Sequence, residues 1–126
     1  MLKEQVHAAG ASAAPVPRPE PVTLESGGER LYAMYYPPTG EPPRGPRVAV
    51  LVLEQLGPHR MNVRLSRALA AAGYPVLAVD FRGRGESEGT YDPSGQRHWV
   101  PDEMVDDARV ALAALRARAA PERVVL

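Results

Sequence analysis

The residues best suited to chemistry fall in one stretch, Asp80-Phe81-Arg82-Gly83-Arg84-Gly85-Glu86-Ser87-Glu88-Gly89. Within it, Gly85-Glu86-Ser87-Glu88-Gly89 spells G-x-S-x-G. In that pattern a serine on a strained strand-to-helix turn presents its hydroxyl as a nucleophile, and the next amide faces the oxyanion. The surroundings argue against that role here. Six residues, Phe81 to Glu86, separate Ser87 from the end of the preceding apolar run at Asp80, and Thr90-Tyr91-Asp92-Pro93-Ser94-Gly95 after it reads as a loop. Glu86 and Glu88 flank the serine, where negative charge opposes a developing alkoxide. A triad built on such a turn needs serine, acid and histidine in chain order, yet the only later histidine, His98, precedes Asp102, Asp106 and Asp107. Ser87 is expected to be a structural loop residue.

Other chemistries fit less well. Gly83-Arg84-Gly85 begins a G-x-G, but G-x-G-x-x-G needs glycine at position 88, where Glu88 stands. A dinucleotide fingerprint also belongs after the first strand of a strand-helix-strand unit. There, Leu53-Glu54-Gln55-Leu56-Gly57-Pro58 offers a single glycine. No H-x-x-x-H or H-E-x-x-H spacing occurs, so His59 and His98 read as loop histidines and no metal or cofactor is expected. Arg82 beside Asp80 is expected to form an ion pair that pins the loop.

The elements that must position this stretch follow from pattern. Residues 1–20 end in Ala13-Ala14-Pro15-Val16-Pro17-Arg18-Pro19-Glu20, whose alternating prolines remove amide donors and predict a disordered leader; residues 21–126 form the domain. Val22-Thr23-Leu24-Glu25 and Arg30 to Tyr36 predict a hairpin around Ser26-Gly27-Gly28-Glu29. Val48 to Leu53, an unbroken apolar run of six, predicts a strand covered on both faces. Arg60 to Ala72 predicts a helix with Met61, Leu65, Ala68, Leu69 and Ala72 buried, Arg60, Arg64 and Arg67 outward, and Gly73 as its cap. Val76 to Asp80 predicts a second buried strand, parallel to the first and joined to it by a right-handed crossover. Pro101 opens a helix with Asp102, Glu103, Asp106 and Asp107 early and Arg116 and Arg118 late, matching the helix dipole; its expected stripe is Val105, Ala108, Leu112 and Leu115. Arg123 to Leu126 predicts the start of a third parallel strand. The fold class is α/β: a β-hairpin, then β-α-β-α-β with parallel strands.

Composition narrows the function. Fifteen basic and 15 acidic residues cancel, so no net field draws nucleic acid or an anionic membrane. Zero cysteine excludes a disulfide scaffold and thiolate metal sites. No run approaches the roughly 20 apolar residues of a membrane helix, and no signal-peptide core opens the chain, so a cytoplasmic protein is expected.

Val76-Leu77-Ala78-Val79-Asp80-Phe81-Arg82-Gly83-Arg84-Gly85-Glu86-Ser87 resembles the D-x-R-G-x-G-x-S loop that follows the fourth strand of α/β-hydrolase-fold enzymes, among them esterases and serine aminopeptidase-like hydrolases. Ser66 to Val76 resembles the family's first helix and its run into strand four. Asp106-Asp107-Ala108 through Leu115 resembles the helix before the nucleophile elbow, and Arg123-Val124-Val125-Leu126 the strand leading into it. The resemblance covers residues 21–126 and implies the N-terminal part of a hydrolase sheet. In the family the loop serine is structural, so Asp80, Arg82, Gly83, Gly85 and Ser87 are implied to be a structural loop motif. The triad is implied to lie beyond Leu126. Many members carry H-G-x-x after strand three; Leu53-Glu54-Gln55-Leu56 holds that place, so the backbone N–H of Gln55 or of Leu56 is the implied oxyanion donor. The implied activity of an intact version is cleavage of an ester, thioester or amide through an acyl-enzyme on a small acyl substrate, with this chain inactive as given. The alternative is a non-catalytic hydrolase-like binding or interaction module. Central strands with unpaired edges lead us to expect either a missing C-terminal half or self-association.

Overall fold

The computed structural model describes residues 16–54, 59–83, 87 and 101–126. Its elements run β1 (Glu20–Ser26), β2 (Glu29–Tyr36), β3 (Val48–Glu54), α1 (His59–Ala71), β4 (Val76–Asp80), α2 (Pro101–Ala119) and β5 (Arg123–Val125). The expected elements are present, with ends shifted by a residue or two. β1 begins at Glu20 and carries Pro21, which an edge strand tolerates because one of its sides needs no donors. The hairpin turns at Gly27 and Gly28, both at positive φ, as a two-residue connection between right-twisted strands requires.

The strands form one mixed sheet in the order β1-β2-β4-β3-β5. β1 and β2 pair antiparallel, as do β2 and β4, while β3 pairs parallel with both β4 and β5. Alternation sorts the apolar side chains onto two faces. Leu31, Ala33, Ala49, Leu51, Leu77 and Val79 point one way and are covered by Ala111 and Leu115 of α2. Met34, Tyr36, Val50, Val52, Val76 and Ala78 point the other way and pack with Leu69 and Ala70 of α1. The continuous apolar runs in β3 and β4 are thus explained by helices on both sides.

Both helices are rotated relative to their predicted stripes. On α1, Leu65 is 47% exposed and Ala68 and Ala72 are also exposed, while Ser66 and Ala70 are buried. The small Ser66 and Ala70, rather than Leu65, take the closest approach to the sheet. On α2, Val105 is 47% exposed, and the buried spine is Asp107, Ala111 and Leu115 at four-residue spacing. The reason lies in the ion pair described below.

Gly73 closes α1 with φ +96°. Tyr74 N–H donates to the Leu69 carbonyl at 3.1 Å and Gly73 N–H to the Ala70 carbonyl at 3.0 Å, the paired bonds of a Schellman cap. A side chain on Gly73 would stand 2.1 Å from the Glu41 carbonyl oxygen, so the preceding loop also depends on the glycine.

Ser66 Oγ is buried with no hydrogen-bond partner. Ser66→Ala is expected to raise stability by about 1 kcal/mol, because it removes an unsatisfied hydroxyl and adds a better helix former. Leu77→Ala, at a fully buried position, should lower it by about 2–5 kcal/mol. Urea denaturation measures both.

Candidate functional site

Two parallel strands leave the sheet in opposite directions at its carboxyl edge. The segment after β3 leads to α1 on one face, and the segment after β4 leads to α2 on the other. In open α/β sheets such a switch point opens a crevice outside the strand ends, where ligands bind. Glu54 and Asp80 are register partners at that edge. Gln55 and Leu56, the candidate oxyanion donors, follow Glu54 and lie outside the described residues, as does Gly85.

Ser87 sits where β2 and β4 part. Its hydroxyl donates to the Asp80 carbonyl at 2.6 Å and accepts from the Tyr32 N–H at 2.7 Å. β2 pairs with β4 as Ala33↔Val79 through Tyr36↔Val76, so the next rung in register would be Tyr32 with Asp80. The serine hydroxyl bridges that rung. It serves as acceptor for one strand and donor for the other, a double role that a hydroxyl on a short side chain can fill.

Arg82 organises the loop from the other face. Its backbone N–H donates to Asp107 Oδ2 at 3.0 Å, and Nε and Nη2 reach Asp107 Oδ1 at 3.3 and 2.8 Å. Nη2 also donates to Ser26 Oγ at 3.2 Å, while Glu103 stands 3.9 Å from Nη1. The hydrogen bonds to Asp107 hold the guanidinium's pKa above its ordinary value, against the opposite pull of burial. The expected ion pair with Asp80 gives way to this one. Asp80 lines the α1 side of the sheet beside Ala78, whereas the Arg82 guanidinium turns to α2. Sequence reading counted Asp107 only among the acidic residues near the start of α2, not as the partner of Arg82. The Asp107 side chain is 1% exposed, and the signal for it was its four-residue spacing from Ala111 and Leu115. Gly27 completes the arrangement: a Cβ there would lie 2.8 Å from Arg82 Nη1, so the hairpin turn and the guanidinium share one space.

On the α1 face a cavity of about 190 Å³ is lined by Tyr32, Met34, Tyr36, Arg67 and the buried Asp80, among others. No histidine side chain lies among the described ones: His98 is outside them, and α1 begins at His59 with its side chain undescribed. Among the described residues no group of three or more His, Cys, Asp or Glu could hold a metal ion, and no helix is long and apolar enough to cross a membrane.

Ser87→Ala leaves the Tyr32 N–H and the Asp80 carbonyl without this partner and is expected to cost about 1–3 kcal/mol, with Ser87→Thr closer to the parent. Asp107→Ala strands a largely buried guanidinium and should cost about 3–5 kcal/mol. The double substitution Arg82→Met with Asp107→Leu should cost less than Asp107→Ala alone, and a double-mutant cycle in urea measures the coupling.

The chain matches no protein-family model and none of the curated protein sequences. Among solved structures it is similar to a lidless α/β serine hydrolase of Xanthomonas campestris, with 23% identity and TM-score 0.63, covering 88% of this chain and 51% of that one. An α/β serine hydrolase homologue of Coxiella burnetii is similar at 21% identity and TM-score 0.59, with the same coverages of 88% and 51%. Epoxide hydrolase A of Mycobacterium thermoresistibile follows at 23% identity and TM-score 0.53, over 78% of this chain and 28% of that one. The chain thus spans about half the length of the first two structures it resembles. With its strand order, its parallel β3-β4 and β3-β5 pairs and its helices on opposite faces, the chain has the α/β-hydrolase fold and corresponds to an N-terminal portion of it.

Proposed function

We infer that this chain is the N-terminal part of a serine hydrolase that cleaves a small ester, thioester or amide through an acyl-enzyme. The observation that carries the reading is the likeness to two α/β serine hydrolases over 88% of the chain. The position of Ser87 supports it. Both the proton and the acceptor side of its hydroxyl are engaged by backbone groups of β2 and β4, which suits a residue that shapes the loop rather than one that attacks a carbonyl. Asp80, Arg82, Gly83, Gly85 and Ser87 then form a structural loop, and the nucleophile, acid and histidine belong to sequence beyond Leu126. The oxyanion would be met in part by the backbone N–H of Gln55 or Leu56, since an amide donor does not depend on its side chain. The enzyme needs no cofactor, works in the cytoplasm and takes a small-molecule acyl substrate.

Two measurements test this. The 126-residue chain should neither turn over a p-nitrophenyl ester nor take up a fluorophosphonate probe; turnover that vanished in Ser87→Ala would overturn the assignment and make Ser87 the nucleophile. The reading frame downstream of codon 126 should encode a second G-x-S-x-G shortly after β5. A downstream sequence with the rest of the sheet but no serine in that turn would instead favour a non-catalytic binding module of the same fold.

A further inference from the structure

One concave surface lies away from β5, on the α1 face. The cavity of about 190 Å³ sits over β2 and β4, and a second, of about 310 Å³, adjoins it. Pro19, Tyr36 and Arg67 line both, so the two form one groove between α1 and β2. In the strand order β1-β2-β4-β3-β5 the whole of β3 separates this groove from β5, so its floor and walls do not involve the β5 edge. The strands give it an apolar side. Met34 and Tyr36 pack on the α1 face, and β1 pairs Pro21 with Met34. One step further along the same alternation, Pro19 falls beside Tyr36.

Two opposite charges stand in this apolar setting. Asp80, at the carboxyl end of β4, lines the smaller cavity and is 4% exposed. Arg67 is exposed and stands where the two cavities meet. α1 carries no acidic residue, and Arg64, three positions back, repeats the charge, so nothing on the helix neutralises Arg67. Among the described residues Arg67 pairs neither with Asp80 nor with any other acid, although the two line the same cavity.

We propose that the groove binds a small zwitterion with an apolar body, of which the free aliphatic amino acids are the simplest. The ammonium group turns to Asp80, the carboxylate to Arg67, and the side chain lies against Met34, Tyr36 and Pro19. A guanidinium offers a carboxylate a planar fork of donors, and at the open rim Arg67 gives up little hydration to do so. A buried carboxylate favours a cation brought against it, which offsets the cost of taking the ammonium out of water. A cavity of about 190 Å³ is smaller than the roughly 300–1,000 Å³ of sites for drug-sized ligands, which limits the occupant to a molecule of this size. The site stands whether or not the protein is a hydrolase.

Titration calorimetry on the intact protein compares three probes: leucine, 3-methylbutylamine, which lacks the carboxylate, and 4-methylpentanoic acid, which lacks the amine. Leucine should bind about tenfold or more tightly than either relative. Arg67→Met, at an exposed position, should weaken leucine by about tenfold and leave 3-methylbutylamine unchanged, because that amine has no carboxylate to lose. Asp80→Asn should weaken leucine and 3-methylbutylamine but not 4-methylpentanoic acid, with circular dichroism checking the fold. Arg64→Met, which removes a like charge outside the groove, should leave leucine binding intact. Absence of leucine binding to the folded parent would overturn the proposal. So would a relative that binds as tightly as leucine, or an Arg67→Met effect of equal size on leucine and on the amine.

Discussion

The guanidinium of Arg82 ties three distant segments to one point: the exit of β4, the hairpin turn at Ser26 and Gly27, and Asp107 in the first half of α2. A planar fork of donors can do this where an ammonium cannot, because Nε and Nη2 reach one carboxylate while Nη2 also serves a hydroxyl. With both partners largely buried, the pair is costly to break and specific in geometry. It sets the rotation of α2, which turns Asp107 inward and leaves Val105 half exposed. It also requires glycine at position 27, where a side chain would occupy the guanidinium's place.

Ser87 does related work on the neighbouring strands. β2 and β4 run together from Tyr36↔Val76 to Ala33↔Val79 and then part. Parting strands expose an N–H and a carbonyl at the point of separation, and buried backbone groups without partners are expensive. A serine brought back by the loop satisfies both. The loop after β4 is therefore anchored twice at the carboxyl edge, by Arg82 on the α2 face and by Ser87 between the strands. That edge is where β3 and β4 send their connections to opposite faces and where a site on such a sheet is assembled.

Much of the architecture was legible in the residues. The apolar runs Val48 to Leu53 and Val76 to Val79 marked buried parallel strands because helices cover both of their faces. Gly73 marked the end of α1, because a Schellman cap needs a residue that tolerates positive φ. The helix faces were harder to read. The spacing of Leu65, Ala68 and Ala72 pointed to a stripe, whereas packing against the sheet chose the neighbouring face carrying Ser66 and Ala70. Asp107 looked like one more acidic residue near a helix N-terminus, and its partner lies 25 positions earlier in the chain.

The sequence by itself determined the order and type of the elements, because periodicity, capping glycine and helix-terminal charges act within a few residues of one another. It also carried the loop signature from Asp80 to Ser87 and the reasons to doubt a nucleophile there. Only the tertiary structure decided which groups that loop would bind. The Ser87 hydroxyl bridges Tyr32 and Asp80 because two strands diverge beneath it, and Arg82, in the turn past the end of β4, swings to Asp107 on the α2 face while Asp80 faces the α1 side. Neither choice is encoded in local spacing; both arise when distant segments are packed into one sheet.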